Sequence, residues 1–227
     1  MNRTLLITAL LVFAGTASAR PQNDNRVRDI DKINSSITAE AGQAYGELRT
    51  VNGSIRIEAK ATVKHADTVN GSIRLAEQVH SGGLSTVNGS IHVGSRARID
   101  GAIETVNGGI FVDRGGQVQS GIETVNGAIG VVDTDLGGGI ETVNGDITVG
   151  VGSHVKGGIR VEKPSKSWGV RMGKPKVPRV VIGPNAVVEG PLVFEREVAL
   201  YVHQSARIGV VSGATAQRYD SASPPKD

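Results

Sequence analysis

Residues able to do acid–base or ligand chemistry are thinly spread along this chain of 227 residues. It has five histidines, His65, His80, His92, His154 and His203, and no cysteine. The histidines share no ligand spacing with one another or with carboxylates, whereas zinc sites normally announce themselves by such spacing. No metal ion, other cofactor or catalytic residue is expected. Glu104, Glu123 and Glu141 recur one residue before a repeated Thr. Paired carboxylates could serve glycosidic cleavage, but the same position holds Arg49, Asp67 and Ser85 earlier in the chain, so a solvated face is the simpler reading.

Two other features could contact a ligand. The segment 162–179, EKPSKSWGVRMGKPKVPR, carries Lys163, Lys166, Arg171, Lys174, Lys176 and Arg179 against one acid, Glu162, and holds the only tryptophan, Trp168. A basic loop with an aromatic ring suits an anionic envelope glycan or another anionic surface polymer. The second feature is a Thr-x-Asn column of the kind ice-binding β-helices present; a ladder of side chains closing a corner is the simpler explanation. Lys plus Arg number 25 against 22 Asp plus Glu. Such balance leaves no concentrated basic footprint for nucleic acid.

What must position these residues is a repeat. TVNGSI occupies 50–55, 68–73 and 86–91, followed by TVNGGI at 105–110, TVNGAI at 124–129 and TVNGDI at 142–147. Asn-Gly between apolar residues suggests hairpins, but the threonines are 18, 18, 19, 19 and 18 residues apart. A fixed short period is the signature of a solenoid. The expected fold is all-β: a single-stranded β-helix of about nine coils with an 18–19-residue repeat. About five apolar side chains per coil point inward, including Ile55, Ile57 and their equivalents. With only seven aromatic residues in the chain, the core must be narrow and built of Val and Ile.

Within each motif, Asn52, Asn70, Asn88, Asn107, Asn126 and Asn144 are expected to stack as a ladder along the axis. The glycine after each Asn is expected to supply a positive φ at the corner. Alternation traced back from Ile57 and Ile55 puts Val51 inside and Thr50 and Asn52 outside; alternation forward from Leu48 gives the reverse. The first register, with Val inside, is the expectation carried forward.

Boundaries follow from where the pattern starts and fails. Residues 1–19 read as a signal peptide, with a basic start, an apolar run and an Ala17-Ser18-Ala19 cleavage site. That run is too short to span a bilayer, and no later segment qualifies, so no transmembrane segment is expected. Residues 20–32 read as a polar N-terminal segment, 33–161 as β-helix repeats, 162–179 as a basic insertion, 180–213 as C-terminal coils and 214–227 as a disordered tail.

The TVNGSIxI coils behind an export signal resemble the adhesin-type family of exported bacterial β-helix domains, a domain of unknown function, over about residues 33–161. The segment 180–209, with VVIGPNAVVEG, is similar to bactofilin-type polymer-forming proteins. The resemblance implies a right-handed β-helix in the periplasm or at the cell surface. It implies an exported, non-enzymatic module for adhesion or ligand binding; the exposed strand edges at the coil ends offer self-association as the alternative, and a polysaccharide-active enzyme is the remotest reading.

Overall fold

The computed structural model describes residues 27–164, 176–221 and 223–225. Every regular element among them is a β-strand. Twenty-six strands stack in parallel as a solenoid of ten coils, which begin at Arg28, Ala44, Thr62, His80, Arg98, Gln117, Asp135, His154, Val187 and Arg207. At a strand spacing of about 4.8 Å, ten coils make a rod roughly 45 Å long.

The coils add to both ends of the expected solenoid. Arg28–Lys32, in the segment read as a polar leader, pairs with the strand Ala44–Asn52. Ala216–Tyr219, in the segment read as a disordered tail, pairs with Ala199–His203. Tyr219 explains the second extension: its ring is buried, meets His203 edge-on and donates its hydroxyl to Ile182 O. A buried aromatic on an edge strand outweighs the polar composition around it.

Each coil contributes to two sheets. The sixteen-stranded sheet uses one nine-residue strand per coil early on, as in Ala44–Asn52, Thr62–Asn70 and His80–Asn88. From coil 5 the strand divides into Arg98–Ile99 and Ile103–Asn107, and the sheet forks. The ten-stranded sheet is built from three-residue strands such as Ile55–Ile57 and Ile110–Val112. Between the sheets lies one continuous core of Ile, Val, Leu and Ala. No coil covers its own apolar residues, so each depends on the coils above and below.

The inward residue of the motif is Thr, not Val. Thr50, Thr68, Thr86, Thr105, Thr124 and Thr142 are buried, while Val51 and its five equivalents are half-buried on the outer side. Alternation runs forward from the buried Leu48, Ala66, Leu84, Ile103, Ile122 and Ile140. The corner then takes an odd number of residues from Thr to Ile and resets the phase, so Ile55 and Ile57 also face in. A hydroxyl is tolerated inside because it is satisfied: Thr50, Thr68, Thr86, Thr105 and Thr124 donate to a corner carbonyl of the preceding coil at 2.9–3.1 Å. Thr142 Oγ1 is buried with no partner among the described residues.

The corner glycines also serve a different purpose from the one expected. Gly53, Gly71, Gly89, Gly108 and Gly145 do not have positive φ. A Cβ at any of them would fall well under 3.0 Å from backbone atoms of the preceding coil. Glycine is required by the closeness of stacking, not by a left-handed turn. The left-handed residue sits at another corner, where Gly42, Lys60, Gln78, Arg96, Gly115, Asp133, Gly152 and Asn185 all have φ between 46° and 72°. Five of these eight are not glycine, which hides the column from a reading by composition.

Candidate functional site

The Asn column is a hydrogen-bonded ladder. Asn52 Nδ2 donates to Asn34 Oδ1, and Asn70, Asn88, Asn107, Asn126 and Asn144 each donate in turn to the Asn one coil below, at 2.9–3.0 Å. All the amides point the same way, so their dipoles add and Asn144 Oδ1 is left as the negative end. Arg196 closes that end, donating from Nη1 to Asn144 Oδ1 at 2.7 Å and to Val143 O at 3.0 Å, and from Nη2 to Lys176 O. It reaches back from coil 9 to coil 7 because coil 8 has no Asn-Gly corner: Glu162-Lys163-Pro164 follows Val161 there.

Of the basic segment, Lys166, Trp168, Arg171 and Lys174 lie outside the described residues. Lys163 is exposed. The returning end is pinned to the rod. Lys176 Nζ donates to Asp146 Oδ2 at 2.7 Å, and Arg179 N donates to Asp146 Oδ1 at 2.9 Å. Burial alone would raise the Asp146 pKa, but these two donors and the nearby charges outweigh it and hold the carboxyl below its ordinary range. The Arg179 guanidinium lies 4.7 Å from the centroid of the Tyr201 ring and donates to Pro225 O. Lys176 and Arg179 are thus engaged within the chain.

The outer face of the ten-stranded sheet carries a second group of exposed cationic and aromatic side chains. Register brings Arg56, Arg74, His92, Phe111, Gly130 and Thr148 into one outward column across coils 2–7. Strand alternation places them outside because the residues on either side are core, as Ile110 and Val112 flank Phe111. His92 and Phe111 stack with ring centroids 5.2 Å apart and planes 18° from parallel. Phe111 remains 37% exposed, which is unusual for a large apolar ring. Gly130 follows in register, and a Cβ there would crowd the Phe111 ring. The missing side chain opens a shallow groove of about 670 Å³ lined by Arg74, His92, Phe111, Gly130, Val132 and Thr148. No acidic residue stands in this column from Thr38 to Gln217. Further along, Val181 and Tyr201 are buried, so the open part of the face ends near Thr148.

Two of the histidines, His80 and His154, form coil-to-coil pairs with carboxylates that linear spacing concealed. His80 Nε2 lies 2.7 Å from Asp100 Oδ2, and His154 Nε2 lies 2.6 Å from Glu189 Oε1 with Asp135 at 4.0 Å. Asp100 also accepts from Arg98 and Gln119. His80 is the largest cause holding the Asp100 carboxyl below its ordinary pKa, so this carboxylate is a poor general base. Among the described residues no three His, Cys, Asp or Glu side chains converge on a point that could hold a metal.

Glu104, Glu123 and Glu141 stand directly in register and are half-buried, not fully solvated as the alternation of residue types suggested. Burial, then the charges of Glu141, Glu104 and Glu162, push the Glu123 carboxyl above its ordinary value of 4.5. No protein-family model, no curated protein and no solved structure matches the chain.

Proposed function

We propose that the protein is an exported, non-enzymatic β-solenoid of the bacterial envelope that binds acidic glycan along the outer face of its ten-stranded sheet. The observation that carries this reading is the Arg56–Arg74–His92–Phe111–Gly130 column. A sugar ring packs its C–H face on an exposed aromatic ring, and a uronate or sulfate finds guanidinium groups beside it. A saccharide chain also advances per residue by nearly the rise between coils, so successive sugars can meet successive coils. The basic segment re-enters the rod through Arg179, on the strand that pairs with Thr148. The other members of that segment, Lys163, Lys166, Trp168, Arg171 and Lys174, add cations and an aromatic ring to the chain's means of meeting an anionic polymer. The repeat and its resemblance to adhesin-type exported domains accord with this role.

The test is retention of the purified protein on immobilised polyuronate against a neutral glucan, over a salt gradient. Salt-sensitive retention on the acidic matrix alone, lost in Arg74→Gln and Phe111→Ala, is the expected result. Equal retention of these variants would remove the groove from the account.

A second reading, end-to-end assembly, draws on the last coil. Val210 is 79% exposed there, and Ile208, Val211, Ala214 and Ala216 are only partly covered. Exposed strand edges with apolar residues are sites of association. At the opposite end the edge strand Arg28–Lys32 sets four charged residues around Ile30, RDIDK, which resists stacking. Sedimentation velocity over a wide concentration range separates the readings: an elongated monomer supports display, and growth into long species supports assembly.

A further inference from the structure

We infer that Asn144 is a chemical modification site, the one Asn-Gly pair of the ladder built to lose its amide nitrogen and become aspartate or isoaspartate. The six Asn-Gly pairs are near-identical in sequence, so they act as controls for one another. In five, the glycine N–H that would have to attack is occupied: Gly53, Gly71, Gly89, Gly108 and Gly127 donate to the carbonyl of the Asn in the next coil at 2.9–3.2 Å. Gly145 donates to no group among the described residues; coil 8 carries Glu162-Lys163-Pro164 after Val161 in place of an Asn-Gly corner.

The second difference is electrostatic. Each ladder carbonyl below Asn144 accepts a neutral amide N–H, whereas Asn144 Oδ1 accepts from the Arg196 guanidinium at 2.7 Å. That charge draws electron density from Cγ and stabilises the negative oxygen that forms when the carbon is attacked. Asn144 is also exposed, so water reaches it.

The reaction balances with water alone. Gly145 N loses its proton to solvent base and forms a bond to Asn144 Cγ; the Cγ–Nδ2 bond breaks and the nitrogen departs as ammonia. Water then opens the resulting imide at either carbonyl, giving aspartate or isoaspartate. The product cannot donate to Asn126 Oδ1, so the ladder loses its last link. It gains instead a full negative charge opposite Arg196. The site therefore works as a slow, one-way change in the charge that faces Arg196.

The test is peptide mapping by mass spectrometry of the full-length protein incubated in mildly alkaline buffer, which reads the six Asn-Gly pairs separately. Conversion at Asn144 at least about tenfold faster than at the mean of the other five, a barrier difference of about 1.4 kcal/mol, is expected. Arg196→Met should slow conversion at Asn144 while the other five stay unchanged. Equal rates at all six pairs, or faster conversion at any of the other five, would overturn the inference. Unchanged conversion in Arg196→Met would overturn the part assigned to the guanidinium.

Discussion

Thr105 and Thr142 occupy equivalent positions, both fully buried, and differ in one bond. Thr105 Oγ1 donates to Gly89 O at 3.0 Å; Thr142 Oγ1 has no partner among the described residues. Valine has nearly the shape of threonine, so Thr→Val at each position isolates the hydroxyl. Thr105→Val removes a hydrogen bond worth about 0.5–1.5 kcal/mol net and leaves a corner carbonyl without its donor, for a loss of about 1–2 kcal/mol. Thr142→Val removes a buried polar atom that has no partner among the described residues, whose burial costs about 1–3 kcal/mol; it should be neutral or stabilise by up to about 1 kcal/mol. The gap between the variants is therefore about 2 kcal/mol. In a chain of this size 1 kcal/mol moves Tm by roughly 2–4 °C, so the two variants should melt about 4–8 °C apart. Parallel thermal melts by circular dichroism measure this. Melting temperatures that coincide, or a larger loss in Thr142→Val, would refute the assignment of Thr to the core and of the hydroxyl to the corner bond.

Backbone demands give a second pair of tests by the same melts. Gln78 sits at φ 58°, which costs a side-chain-bearing residue roughly 1–2 kcal/mol and glycine little, so Gln78→Gly should stabilise by about 1 kcal/mol. Gly89→Ala places a Cβ against Gly71 O and C, atoms that cannot give way, and should cost more than about 3 kcal/mol. The acidic column predicts a pH effect. Glu123 has its folded pKa raised above 4.5, so ionising it opposes folding; the penalty is present above the folded pKa and disappears as pH falls below 4.5. Glu123→Gln should therefore stabilise at neutral pH, and its advantage over the parent should vanish in acid. A constant difference between the two across pH would contradict this.

Much of the architecture was legible because solenoids repeat their physics as well as their letters. The period of 18–19 residues between threonines fixed coils rather than hairpins, and Ile55, Ile57 and their equivalents are core. The Thr and Val registers were both open by alternation, since the corner shifts phase by an odd step. Hydrophobicity favoured Val, and the structure favours Thr because the hydroxyl finds a carbonyl in the coil below. Lys60, Gln78 and Arg96 gave no sign of their left-handed backbone, because the turn is imposed by stacking rather than by residue type. The groove was hidden for a related reason. Arg74, His92, Phe111 and Gly130 are spread over 57 positions of the chain and become neighbours only when coils stack. A column-by-column alignment of the repeats would bring them together. Lys176 and Arg179 looked free as part of a basic run, and Asp146 and Tyr201, remote in sequence, engage them.

The central claim, that the face holding Arg74, His92, Phe111 and Gly130 is the ligand surface, is tested most directly by heteronuclear NMR of the protein titrated with an oligouronate. Amide shifts that move together along 74, 92, 111, 130 and 148, and that vanish in Phe111→Ala, are the predicted result. Shifts confined to other faces of the rod, or none at saturating oligosaccharide, would contradict it.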